Sequence, residues 1–97
     1  MHRPRVRLGL EASRATLDTA RAAQLGQKAR AARTERALDI AAVGKTLMLS
    51  PAQIRALEDV TPDAFYGAEF YVNALKKYLA YLGLNPADAA DVLVAAT

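Results

Sequence analysis

The sequence predicts an all-α domain of five helices behind a basic N-terminal extension. One observation is a device used three times: Ser50-Pro51, Thr61-Pro62 and Asn85-Pro86 each set a good N-cap residue directly before proline. The cap side chain accepts an orphan backbone N–H, and proline at the first helical position has no N–H to leave unpaired. A second observation is that the intervening segments space their apolar residues for helices, and no strand pattern competes with them. A third is length: 97 residues suffice for one domain and leave room for a tail.

Residues 1–10 have no usable period, and Pro4 discourages an early helix, so they read as a flexible arm. Residues 11–23 are rich in Ala and Arg and are helical at most in part. Their apolar face offers only Leu17 and alanines, too little for tertiary support. The arm is therefore set at 1–23 and the domain at 24–97. The first helix is expected at 25–36. Asp39 caps a second helix over 39–47. Gly44 lies inside it at a cost of about 0.5–1 kcal/mol relative to Ala, which points to close approach of a neighbouring helix. The third helix, 51–59, opens with a capping box in which Gln53 reaches back to the Ser50 N–H. A short turn at 62–66 leads to helices at 69–82 and 86–95. Gly67 and Gly83 suit helix C-terminal turns.

Composition removes several function classes. The chain has no Cys, hence no disulfide framework and no thiolate chemistry or thiolate metal site. Its one histidine, His2, stands at the extreme N-terminus. No apolar run approaches the roughly 20 residues of a membrane span. The first ten residues lack the apolar stretch of a secretory signal, and Glu11 and Asp18 count against a transit peptide. There is no Gly-rich phosphate loop, and the carboxylates Asp39, Glu58, Asp59, Asp63 and Asp88 read as caps and solvated charges. No enzyme, cofactor, metal or small-molecule substrate is expected.

The net charge of +3 is split. Residues 1–36 hold nine basic and three acidic side chains, a net of +6; residues 37–97 hold four basic and seven acidic, a net of −3. Helices 39–47 and 51–59 with their tight connection read as a helix-turn-helix. Its half of the chain is acidic, which is a poor design for neutralising phosphates.

Two surfaces compete for function. In a DNA-reading helix-turn-helix, the start of the second helix enters the major groove. Here that start is Ser50, Pro51, Ala52 and Gln53, with Arg55 next. Gln pairs with adenine and Arg with guanine, and Arg30 and Arg33 are candidate phosphate contacts. The blander reading is that Gln53 only caps its helix and Arg55 is a solvated surface residue. The other surface is the helix at 69–82. All six aromatic residues of the chain fall within or just before it: Phe65, Tyr66, Phe70, Tyr71, Tyr78 and Tyr81. At about 100° per residue, Tyr71, Leu75, Tyr78 and Leu82 share one stripe, the expected core face, with the Tyr78 hydroxyl at its rim. Ile54, Leu57, Leu38 and Val43 complete the expected core. A second stripe, Phe70, Ala74, Lys77 and Tyr81, lies about 90° away. There Phe and Tyr flank a flat Ala, the make-up of a protein-contact patch. The alternative is that residues 11–23 fold back and cover it.

Over about residues 24–90 the chain resembles the cytoplasmic helix-turn-helix domain of the RodZ family, bacterial cell-shape proteins related to the phage-repressor-type helix-turn-helix. The residues that carry the resemblance are the Arg-rich KARAARTER, Leu38-Asp39-Ile40 with Val43, Leu49-Ser50-Pro51 and Ile54-Arg55-Ala56-Leu57-Glu58. They continue with Phe65-Tyr66-Gly67, Leu75, Tyr78 and Leu82-Gly83-Leu84-Asn85-Pro86. The resemblance implies a five-helix domain on the cytoplasmic side of a bacterial membrane. It further implies binding of an actin homologue, MreB, through the aromatic helix. Phe70 matches one partner-contacting aromatic of that family, Ala74 stands where the family has a second, and Val72-Asn73 replaces an Arg-Gly pair. In that family a membrane anchor follows, so the resemblance implies an excised cytoplasmic domain or a soluble relative. Phe70, Lys77, Tyr81 and Ala74 are the expected protein-contact set. Ser50, Gln53, Arg55, Arg30 and Arg33 are the set for the DNA-binding alternative.

Overall fold

A computed structural model describes residues 15–95. Helix α1 is Thr19–Glu35 and opens on Asp18, whose carboxylate accepts the Arg21 N–H at 3.1 Å. It therefore begins six residues before the expected start. The cause is its buried face, built from Ala22, Leu25, Gly26 and Ala29. Small residues give a weak hydrophobic period yet let a neighbouring helix come close. A Cβ added to Gly26 would lie 2.6 Å from the Glu58 carbonyl oxygen and 2.8 Å from that of Leu57.

Helix α2, Ile40–Leu47, is capped by Asp39, which accepts the Ala42 N–H at 3.2 Å. Met48 ends it with φ +60°, and a tight turn through Leu49 delivers the chain to Ser50. Gly44 is required by this turn, since an added Cβ would collide with the Leu49 carbonyl oxygen. The close neighbour is thus the connecting backbone and not a helix. Helix α3, Pro51–Asp59, has the full capping box: Ser50 Oγ accepts the Gln53 N–H at 3.1 Å and Gln53 Oε1 accepts the Ser50 N–H at 3.0 Å.

A 3-10 turn at Pro62–Ala64 precedes helix α4, Ala68–Tyr81. Gly67 is the extended N-cap of α4 and does not end a helix; Gly83, at φ +78°, does take the left-handed turn after α4. The last expected helix differs more. Pro86–Val92 is a 3-10 helix, and Leu93–Ala95 forms a strand, β2. It pairs antiparallel with β1, Ala15–Leu17, in the register Thr16 opposite Val94. The expectation of no strands is corrected by this two-stranded sheet. Neither strand exceeds three residues, too short for an alternating pattern to register in the sequence.

The core forms where α1, α3, α4 and the Pro86–Val92 helix meet. Leu25, Ile54, Leu57, Tyr71, Leu75, Tyr78, Leu82 and Val92 are buried in it, as is Val43 from α2. Each large aliphatic side chain so buried contributes about 1.5–3 kcal/mol. Leu38 packs against this core and stays half-buried. Four α-helices and the seven-residue 3-10 helix thus make an all-α domain of five helices among the described residues.

Candidate functional site

Helix α4 turns one face inward and another toward a surface groove. Tyr71, Leu75, Tyr78 and Leu82 hold it to the core, so the stripe about 90° away must point out of it. On that stripe Phe70 is 59% exposed and Tyr81 40% exposed, and Lys77 is exposed. Ala74 is buried, at 5% exposure. Its small side chain forms floor, where a larger one would have stood out. The groove has a volume of about 510 Å³. Phe70, Asn73, Ala74 and Lys77 line it from α4, and Leu49 and Gln53 from the helix-turn-helix. Asp63 and Tyr66 line it from the segment between α3 and α4. The two surfaces that the sequence sets in competition are thus two walls of one groove. Tyr81 lies a further turn along α4 and does not line it.

Tyr66 is the residue the sequence stripe misses. It is 95% exposed, and its ring packs against that of Phe70 with centroids 5.9 Å apart. It precedes α4, so helical periodicity does not include it; its place four residues before Phe70 was the available signal. Phe65, next to it, turns inward and meets Tyr71 edge to face at 5.4 Å. Residues 15–23 do not cover the Phe70 patch. They are taken up by β1 and the first turn of α1, and Leu17 lies beside Phe65 and Ala68. Residues 11–14 of the segment expected to fold back lie outside the described residues.

Most of the DNA-reading set is engaged within the chain. Both ends of the Gln53 amide are engaged within the chain, Oε1 with the Ser50 N–H and Nε2 with the Ala64 carbonyl at 3.4 Å. Ser50 Oγ caps α3. Arg55 is exposed and forms no ion pair among the described residues. Arg30 meets Asp59 at 3.7 Å in a pair exposed on both sides, an arrangement worth little.

Arg33 is not available to phosphate. Its Nε donates to Glu58 Oε2 at 2.7 Å and its Nη2 to Glu58 Oε1 at 3.1 Å, while Nη1 reaches the Leu38 carbonyl at 3.4 Å. The Tyr78 hydroxyl also donates to Glu58 Oε2. Glu58 is therefore buried, at 8% exposure, and not the solvated carboxylate expected from the sequence. Tyr78 likewise buries its hydroxyl instead of holding it at a rim. The hydrogen bond to Glu58 raises the Arg33 pKa above its ordinary value. Burial first, and then the hydrogen bond to Glu58, push the Tyr78 hydroxyl well above the usual tyrosine range. The N-terminal arginines Arg3, Arg5, Arg7 and Arg14 lie outside the described residues.

Among the described residues no cluster of His, Cys, Asp and Glu could hold a metal ion, and no helix is long and apolar enough to cross a membrane.

A capped helix, a tight three-residue turn and a second capped helix, packed between a long first helix and an aromatic fourth, define a helix-turn-helix domain. The helix-turn-helix domain family model matches residues 29–89, more than half of the chain, and the chain belongs to that family. No curated protein and no solved structure matches it.

Proposed function

We propose that this helix-turn-helix is a non-catalytic protein-docking module, and that its partner seats in the groove between the α2–α3 turn and α4. The observation that carries this reading is the exposed aromatic pair Tyr66–Phe70 beside a small-residue floor at Ala74. Exposed aromatics next to a shallow apolar recess are what protein interfaces use as anchors. Lys77 gives the same wall a charge that sets orientation, and Tyr81 extends the contact along α4. The engaged amide of Gln53 and the ion-paired Arg33 support the same choice, because both have hydrogen-bonding capacity already used within the chain. The RodZ resemblance makes a filament of the bacterial actin homologue MreB the first partner to test, on the cytoplasmic side of a membrane.

The test is Phe70→Ala. Phe70 is mostly exposed, so the variant keeps the helical circular dichroism and urea midpoint of the parent. Co-sedimentation with the filament drops at least about tenfold, the effect of truncating an interface anchor. Loss of helicity would place Phe70 in the core and end the reading.

DNA binding is the second reading, and Arg55 on α3, exposed and without an ion pair among the described residues, favours it. A titration of the labelled protein with a mixed-sequence duplex decides it. Amide shifts at Ser50 to Arg55 that persist at physiological salt would establish a reading helix. Shifts that vanish with salt mark only phosphate attraction.

A further inference from the structure

We infer that the groove is also self-complementary, so that two copies of this chain pair through it about a two-fold axis and hide the docking surface. In such an interface each patch meets its own image, so a patch with both signs of charge flanking an apolar centre can pair each sign with its opposite. This groove has that composition. Lys77 lies two turns beyond Phe70, about 10 Å along the axis of α4. Asp63 comes from the 3-10 turn before α4, so the Tyr66–Phe70 pair stands between cation and anion in chain order. Neither Lys77 nor Asp63 has an oppositely charged partner within ion-pair distance among the described residues, although four other ion pairs are formed there. Both side chains are exposed.

Across a two-fold axis, Lys77 of each copy faces Asp63 of the other, and Phe70 and Tyr66 of the two copies meet near the axis. The charge balance permits this. From Ala15 onward the chain holds nine Lys and Arg and nine Asp and Glu, so this part adds no net repulsion of its own, and the +3 of the full chain comes from residues 1–14. A single-signed partner would leave either Lys77 or Asp63 facing like charge, whereas a second copy satisfies both. The inference rests on the docking reading for the location of the surface and adds its regulation: self-pairing and partner binding exclude one another.

Sedimentation velocity of the full chain, from micromolar to near-millimolar concentration, tests it. The expected result is a concentration-dependent dimer that Phe70→Ala converts to monomer with helicity retained. Lys77→Glu and Asp63→Lys each weaken pairing at least about tenfold, since every reversal acts twice across the axis. An equimolar mixture of the two variants restores pairing, because Glu at 77 then faces Lys at 63, and Asp63 faces Lys77. A parent chain that stays monomeric throughout, or a mixture that pairs no better than either variant alone, overturns the inference. The docking reading has a separate readout, co-sedimentation with the filament at concentrations where the chain is monomeric. Either reading can therefore fail while the other stands.

Discussion

Glu58 accepts three hydrogen bonds, two from Arg33 and one from Tyr78, and so ties α1, α3 and α4 together at one buried carboxylate. Removing one partner of such a pair costs more than the pair itself contributes, because the other charge remains desolvated. Glu58→Ala is expected to lower the unfolding free energy by about 3–5 kcal/mol in urea titrations. Tyr78→Phe keeps the packing and loses one bond to a charged group, about 2 kcal/mol. A cost below about 1 kcal/mol for Glu58→Ala would mean that the ion pair does not form in solution. The buried tyrosines add a pH signature. Burial raises Tyr71 to about 12 and raises Tyr78 in the same direction. A raised folded pKa means that the folded state prefers the neutral phenol. The associated stability is complete below the unfolded value of about 10 and is lost as pH climbs through the folded values. Thermal melts should therefore show no tyrosine-linked change up to about pH 10 and a steady loss from there toward 12. Little of this was legible in the sequence. Arg33 sits in an Arg-rich run that reads as a solvated face, and Glu58 beside Asp59 reads as a surface acid. Their pairing spans 25 positions, and only the folded chain brings them together.

At the scale of elements, the chain announces its helices where their ends are chemically local and conceals them where they are not. The Ser50 capping box and the Asp39 cap follow from neighbouring residues, and both appear as expected. Three other helix ends take left-handed backbone at Ala37, Met48 and Val60, where no glycine marks them. The early start of α1 was hidden because its buried face is Ala22, Leu25, Gly26 and Ala29. That same face is open to test at Gly26. Helix propensity alone predicts a gain of up to about 1 kcal/mol for Gly26→Ala. Packing predicts the reverse, since the new methyl would sit under 3 Å from two backbone carbonyl oxygens of α3. Backbone carbonyls cannot swing aside as a flexible side chain can, so α1 and α3 must separate. The variant should lose about 1–3 kcal/mol net in denaturant titrations, the usual cost of overpacking. A stabilised Gly26→Ala would show that α1 packs less closely on α3 than described. The groove divides in the same way: the stripe of Phe70 and Lys77 was readable from helical period, whereas Tyr66, Leu49 and Asp63 enter it from turns that no period reaches.

The first and last of the described residues close the domain. β1 pairs with β2, the Asp18 N–H donates to the Val92 carbonyl at 2.7 Å, and Thr16 Oγ1 donates to the Val94 carbonyl at 3.2 Å. Arg21 adds partly exposed contacts to Asp91 at 3.5 Å and Asp88 at 3.9 Å. The segment from Pro86 to Ala95 packs on α1 and α4 as a 3-10 helix and a short strand. Ala89 and Val92 seat it in the core against α1 and α4, and β1 with Leu17, which packs against the core, adds a further hold on its end. Two truncations separate this role from the charge of the tail. Deleting residues 1–14 removes four arginines and one glutamate and leaves β1 intact, so the thermal midpoint should stay within a few degrees. Deleting residues 1–17 also removes the strand and Leu17. Counting about 1–2 kcal/mol for the half-buried leucine and a similar sum for the backbone bonds, the loss is about 2–4 kcal/mol. In a domain of this size that lowers the midpoint by roughly 8–30 °C. Amide exchange should accelerate first at Pro86–Ala95 and leave α3 and the inner turns of α4 protected, because those are anchored by Ile54, Leu57, Tyr71 and Leu75. Equal midpoints for the two truncated chains would mean that the C-terminal segment is held by α1 and α4 alone and that the sheet adds no stability.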